Sequence, residues 1–93
     1  MNKQIVRQPK SRNLRAGKVI LKPGKEVGEH IPYKREEIVI ILEGKGVMVI
    51  EGKKKNVKTG DAVFIAENKK HNIINNSRRN LTYVYVVSVF NST

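Results

Sequence analysis

The sequence contains no cysteine and no tryptophan, and only five of its 93 residues are phenylalanine or tyrosine. The missing cysteine excludes a disulfide framework, thiolate catalysis and the common zinc-finger sites. No apolar run approaches the roughly 18 residues of a membrane-spanning helix, and the first residues lack the apolar centre of a secretory signal. A soluble, cytoplasmic protein with no membrane partner is therefore expected.

Acidic residues are absent from the first 25 positions, which carry eight lysines and arginines, whereas the other 68 residues carry eleven basic and eight acidic side chains. The net charge of +11 is therefore concentrated at the N-terminus. Residues 1–16 are predicted to form a basic arm, interrupted at Pro9, with a short edge strand near residues 4–7. Four basic side chains of this arm are candidate contacts for a polyanion: Arg7, Lys10, Arg12 and Arg15.

Nucleic acid is a candidate partner that the sequence does not favour. The basic residues have no interleaved aromatic side chains for base stacking, and no helix-turn-helix or zinc-finger pattern is present. The alternative is a solvated arm without a partner.

Helical periodicity is also missing, and short β-type segments recur every eight to twelve residues, which predicts an all-β sandwich or small barrel. The clearest strand, residues 36–42, is apolar after Glu37, so one face should point into the barrel and the other onto a second sheet or a partner chain. In the last strand, residues 81–90, Tyr83 and Tyr85 share one face. The remaining predicted strands are 18–22, 27–31, 47–51, 53–58, 62–66 and 71–75. Because a chain of 93 residues has a thin core, a homodimer is expected.

Two glycine-bounded stretches contain the two histidines of the chain. In the first, five residues separate Gly24 from His30, Pro32 stands two positions further on, four residues precede Glu37, and six precede Gly44. On a strand, the neighbouring Glu36 should face away from Glu37.

In the second stretch, five residues separate Gly60 from Ala66, Asn68 stands two positions further on, two residues precede His71, and three precede Asn75. The order and spacing of the two stretches resemble the two sequence motifs of the cupin superfamily. Pro32 stands where the first motif has a second histidine, and Ala66 and Asn68 replace a proline and a glycine of the second. Asparagine tolerates the left-handed backbone that such a glycine supplies.

The resemblance covers about residues 17–90 and implies a double-stranded β-helix, a jelly-roll-like barrel, as one domain over residues 17–93. In metal-binding cupins the motif histidines and glutamate converge on one cation. The resemblance therefore implies that His30, Glu37 and His71 bind a divalent transition metal, either Fe, Mn, Ni or Zn, with positions left open for water or substrate. The alternative is a metal-free polar interior in which these side chains bind each other and ordered water. Side chains expected to line the barrel are Asn75, Tyr83 and Tyr85.

Two classes of function remain open. The first is a metal-dependent isomerase or oxygenase, or a sugar-binding protein, similar to phosphomannose isomerase-type cupin domains. The second is a non-catalytic sensor or accessory dimer that holds a small metabolite, with the basic arm docking polyanions as a further alternative. The sequence does not assign a second carboxylate or a lysine to the interior of the barrel, where it could act as a general base. It therefore leaves open whether the protein is an enzyme.

Overall fold

The computed structural model describes residues 2–7 and 10–90, and the strands of this part form two antiparallel sheets. The predicted interruption at Pro9 and the two ends of the predicted domains, residues 1 and 93, lie outside the described residues. In the described part of the chain, no helix is long and apolar enough to cross a membrane. The strands are β1 (Asn2–Val6), β2 (Leu14–Leu21), β3 (Arg35–Glu43), β4 (Lys45–Ile50), β5 (Lys53–Lys58), β6 (Ala62–Ile65), β7 (His71–Ile74) and β8 (Leu81–Val89).

The larger sheet has the order β1-β2-β8-β3-β6, and the smaller sheet has the order β5-β4-β7. Apolar side chains from both sheets meet in one core, among them Val39, Ile41, Met48, Ile65 and Leu81. This arrangement confirms the predicted all-β jelly-roll fold. It follows from the alternation of side chains along the strands, which gives the central strands an apolar inner face.

Strand β3 has an inner and an outer apolar face, as its sequence indicates. The inner residues Val39 and Ile41 are 0% and 1% exposed. The outer residues Ile38, Ile40 and Leu42 are 43%, 36% and 45% exposed. The second sheet therefore covers only the inner face within the described chain.

The predicted strand over residues 27–31 is wrong. Within this segment there is a single isolated bridge to β7, between His30 and His71, and a second bridge joins Glu26, just before it, to Ile74. The physical reason is Gly28, whose φ of 107° departs from extended backbone and whose amide donates to the side-chain oxygen of Asn72 instead of to a neighbouring strand. His30 therefore lies on a loop that is bound to β7 by isolated backbone hydrogen bonds.

The predicted boundary between arm and barrel falls inside β2. The edge strand expected near residues 4–7 is present as β1, which pairs with residues 16–19 of β2, and β2 itself begins at Leu14. Much of the basic N-terminal region is thus a part of the larger sheet, because its backbone groups are paired in the ladder.

Candidate metal centre and ligand cavity

Three side chains from three different segments meet at one end of the barrel. His30 lies on the loop between β2 and β3, Glu37 on β3, and His71 at the first position of β7. The backbones of the two histidines exchange hydrogen bonds of 3.0 and 2.9 Å, and their ring centroids lie 4.0 Å apart. One potential ligand atom from each of the three residues lies within 4.8 Å of the other two.

The orientation of both imidazoles is set by backbone carbonyls two residues earlier in the chain. His30 Nδ1 lies 3.1 Å from the oxygen of Gly28, and His71 Nδ1 lies 3.2 Å from that of Lys69. A carbonyl oxygen can only accept, so each Nδ1 carries a hydrogen and donates it. The Nε2 atom of each neutral ring is then left with its lone pair, which is the form of histidine that binds a metal.

The His71 imidazole and the Glu37 carboxyl group face each other in a largely buried position. His71 Nε2 lies 3.4 Å from Glu37 Oε1, and the two side chains are only 1% and 13% exposed. If the hydrogen of His71 is on Nδ1, the lone pair of Nε2 points at the negatively charged oxygen of Glu37. Two acceptors that face each other without a hydrogen between them repel, and burial makes this costly. Either a proton on Nε2 or a cation between the groups removes the conflict, and the residues present therefore fit a metal ion.

Two imidazoles and one carboxylate form a donor set suited to Fe(II), Mn(II), Ni(II) or Zn(II). Pro32, at the position of the second motif histidine, is buried and lines the cavity beside the three donors but offers no ligand atom. The set is therefore limited to three residues at this point, and other coordination positions would fall to water or to a bound molecule.

A cavity of about 540 Å³ opens beside these donors. Both predicted tyrosines line it, Tyr83 from a buried position and Tyr85 from a half-buried one. Burial raises the pKa of Tyr83 above its ordinary value, and the Glu37 carboxylate and Tyr85 raise it further, so the Tyr83 phenol is neutral and able to donate a hydrogen bond. The ring of Tyr85 lies over Gly17, where an added Cβ atom would come within 3.0 Å of it.

Asn75 does not line this cavity, contrary to the sequence prediction. Its side chain is 0% exposed and donates to the backbone oxygens of Leu21 and Arg79 at 2.8 and 2.7 Å. Its own oxygen accepts from the backbone amide and the hydroxyl of Ser77. Strand β7 ends at Ile74, so the alternation that predicted a shared face with His71 no longer holds at Asn75. Asn75 fastens the end of β7 to β2 and to the following loop.

Two charged residues of the cavity lining were not predicted from the sequence to lie there. Arg15, assigned to the polyanion-binding arm, and Arg35 both line the cavity. Arg35 stands two positions before Glu37, and strand alternation was a signal that could have placed it on the inner face. Arg7, Lys10 and Arg12 are exposed.

Comparison with known proteins places these features in a family. The sequence profile of the Cupin domain matches residues 17–88. This chain belongs to the cupin family. The motif positions of His30, Glu37 and His71 all fall within the matched region of this cupin.

The cupin is similar in sequence to proteins of Thermotoga maritima and Methanocaldococcus jannaschii. It is 36% identical over 67 residues to the oxalate-binding protein of Thermotoga maritima, covering 72% of this chain and 55% of that protein. It is 44% identical over 46 residues to an uncharacterised protein of Methanocaldococcus jannaschii, covering 50% of this chain and 37% of that protein. The chain thus spans about half the length, or less, of these relatives.

Among solved structures, the cupin resembles a predicted oxalate decarboxylase from Thermotoga maritima. The TM-score is 0.79 at 32% sequence identity, and the match covers 82% of this chain and 66% of that chain.

Proposed function

We propose that this cupin binds a divalent transition metal through His30, Glu37 and His71 and holds a small carboxylate-bearing metabolite in the adjoining cavity. The observation that supports the metal is the convergence of His30, Glu37 and His71, whose potential ligand atoms all lie within 4.8 Å of one another, with His71 Nε2 3.4 Å from Glu37 Oε1. The carboxylate is supported by the name of the oxalate-binding relative, 36% identical over 67 residues.

A bound metal would act as a Lewis acid at the cavity wall. Among the described residues that line the cavity, Glu37 is the one carboxylate, and the neutral phenol of Tyr83 does not serve as a base near neutral pH. Catalysis as an isomerase or oxygenase would therefore depend on the metal with little help from a general base. For this reason a ligand-binding role, as a sensor or an accessory protein, is the second candidate function.

The test is metal content by mass spectrometry and metal affinity by titration calorimetry, on protein without a histidine tag. We expect close to one equivalent of metal per chain after reconstitution, and weaker binding on acidification because protons compete for the imidazoles. Glu37→Gln should lower the affinity at least about tenfold. Glu36→Gln is the matched control, since Glu36 is the neighbouring residue on the opposite face of β3 and does not line the cavity.

Two results would contradict this proposal. One is less than roughly a tenth of an equivalent of any transition metal after reconstitution. The other is an equal affinity in wild type, Glu37→Gln and His71→Ala.

We also propose that the cupin is a homodimer in which the outer face of the larger sheet packs on the same face of a second copy. Three strands of this outer face, β2, β3 and β6, carry exposed apolar side chains, and β8 between β2 and β3 adds the half-buried Val84 and Val86. The exposed side chains are Leu14, Ile38, Ile40, Leu42 and Phe64. A face of four strands and nine residues measures about 19 by 30 Å from ordinary strand spacing and rise. This area of roughly 600 Å² approaches the roughly 800 Å² that each partner of a stable complex buries.

Polyanion docking by the exposed residues Arg7, Lys10, Arg12 and Arg15 stays a prediction, as does a cytoplasmic location. Replacement of all four residues by glutamine should weaken the binding of a polyanion at low salt, and unchanged binding would contradict the prediction.

A further inference from the structure

The cavity has a basic wall, formed by Arg15 and Arg35, in the same sheet as the Glu37 of the candidate metal centre. In the larger sheet, Arg15 of β2 and Glu37 of β3 both pair with Val87 of the intervening strand β8, so all three stand in one row. Arg35 pairs with Val89, two positions further along the same face. Arg15 and Arg35 therefore border the cavity near its end, and Arg15 is separated from Glu37 by two strand spacings, about 10 Å between backbones.

The charges of this cavity do not balance. Its described lining contains two guanidinium groups, Arg15 and Arg35, and one carboxylate, Glu37. Among the described residues, neither arginine forms an ion pair within 4.0 Å. A divalent cation at the histidines and Glu37 would raise the formal charge of the lining from +1 to +3, which favours an anionic ligand strongly in a partly enclosed space.

The space also exceeds what a metal and its waters fill. A volume of about 540 Å³ corresponds to roughly 18 water molecules at the density of the liquid. Gln4 of β1, opposite Gly17 in the ladder, adds an amide to the same basic side of the cavity. There is thus room for a ligand with two separate acidic groups.

We propose that Arg15 and Arg35 bind one carboxylate of a dicarboxylate whose other carboxylate lies at the metal centre. Planar guanidinium groups match a carboxylate with two parallel hydrogen bonds, so an arginine pair selects this group over a neutral one. The inference rests on the proposed function in one respect, because the proposed metal binds the second carboxylate of the ligand. It adds the ligand class, dicarboxylates, and two residues that determine specificity.

The experiment is titration calorimetry of dicarboxylates against monocarboxylates of equal chain length: malonate with propionate, succinate with butyrate, and glutarate with valerate. Wild-type protein loaded with metal should prefer at least one dicarboxylate over its partner by about tenfold or more. In Arg15→Gln/Arg35→Gln this preference should disappear, and Arg15→Lys/Arg35→Lys should restore part of it. Metal content of every sample is measured in parallel, and thermal unfolding shows whether each variant is folded.

The matched control is Arg78→Gln/Arg79→Gln. It removes the same two charges from exposed positions in the loop between β7 and β8, and neither residue lines this cavity. The preference of the control should equal that of wild type, which separates a local contact from a change in overall charge.

The proposal is overturned if wild type shows no preference in any of the three pairs, or if the glutamine double variant keeps the preference while folded. Loss of the metal is a separate result. If protein without metal keeps a preference that depends on Arg15 and Arg35, the arginines bind the ligand but its second carboxylate does not require the metal, which contradicts that half of the proposal; the metal centre itself is tested by the metal content.

Discussion

Replacing Phe64 by serine tests the outer face of the larger sheet as a dimer interface. Phe64 is 57% exposed and pairs with Ile38 in the ladder between β3 and β6. Complete burial of such a side chain contributes about 1.5–3 kcal/mol, so burial of its exposed part contributes about 1–1.5 kcal/mol. A two-fold dimer contains the contact twice, and the free energy of association should therefore fall by about 2–3 kcal/mol. This corresponds to a dissociation constant about 30- to 150-fold higher.

Sedimentation equilibrium over a wide range of protein concentration measures this constant directly. Tyr33→Ser is the control, because Tyr33 is an aromatic residue that is 67% exposed and lies on the loop before β3, away from the outer face. Its dissociation constant should equal that of wild type. A wild-type protein that remains monomeric at about 100 μM would refute the reasoning, since the constant would then be weaker than a face of this size predicts. An unchanged constant for Phe64→Ser would place the interface elsewhere.

Two further predictions concern stability. Burial, then the Glu37 carboxylate, raises the folded-state pKa of Tyr83 above the ordinary tyrosine value, so the contribution of Tyr83 is complete below about pH 10 and is lost as the pH rises beyond it. The free energy of unfolding, measured by urea denaturation, should fall less steeply above that pH in Tyr83→Phe than in wild type, by up to about 1.4 kcal/mol per pH unit. The exposed Tyr33→Phe should keep the wild-type pH dependence. The same pH dependence in both variants would contradict the raised pKa of Tyr83. Asn75→Ala removes two donated and two accepted hydrogen bonds from a fully buried position and should cost about 2–4 kcal/mol, whereas exposed Asn76→Ala should stay within about 0.5 kcal/mol. The same change in melting temperature for both asparagine variants would show that these bonds contribute little.

Local features of the structure were predictable because local rules govern them. The apolar pattern predicted a strand with two apolar faces over residues 36–42, and strand alternation assigned Tyr83 and Tyr85 to one face; both predictions agree with the structure. Asn68, which stands in place of a motif glycine, has a φ of 67°, the left-handed conformation that asparagine tolerates.

Predictions failed where a contact from a distant segment overrides the local pattern. The segment over residues 27–31 reads as a strand, but Gly28 donates to Asn72, 44 positions away, and the segment bends out of the sheet. Asn75 has the spacing of a residue that shares a face with His71, but its amide reaches the backbone of Leu21 once β7 has ended.

The sequence by itself determined the all-β fold, the direction in which most strand residues point, and three residues, His30, Glu37 and His71, that could hold a metal. The motif spacing is a property of the chain, and alternation is a property of extended backbone, so both can be read without a fold. Only the tertiary structure decided that Arg15 of the basic N-terminal region stands in one row with Glu37, since that row depends on β8 lying between β2 and β3. The same strand order leaves the outer apolar face uncovered and closes the inner face around the cavity. Antiparallel pairing between strands far apart in the chain joins residues whose positions in sequence give no sign of contact, and for this reason the basic wall became visible only in the folded molecule.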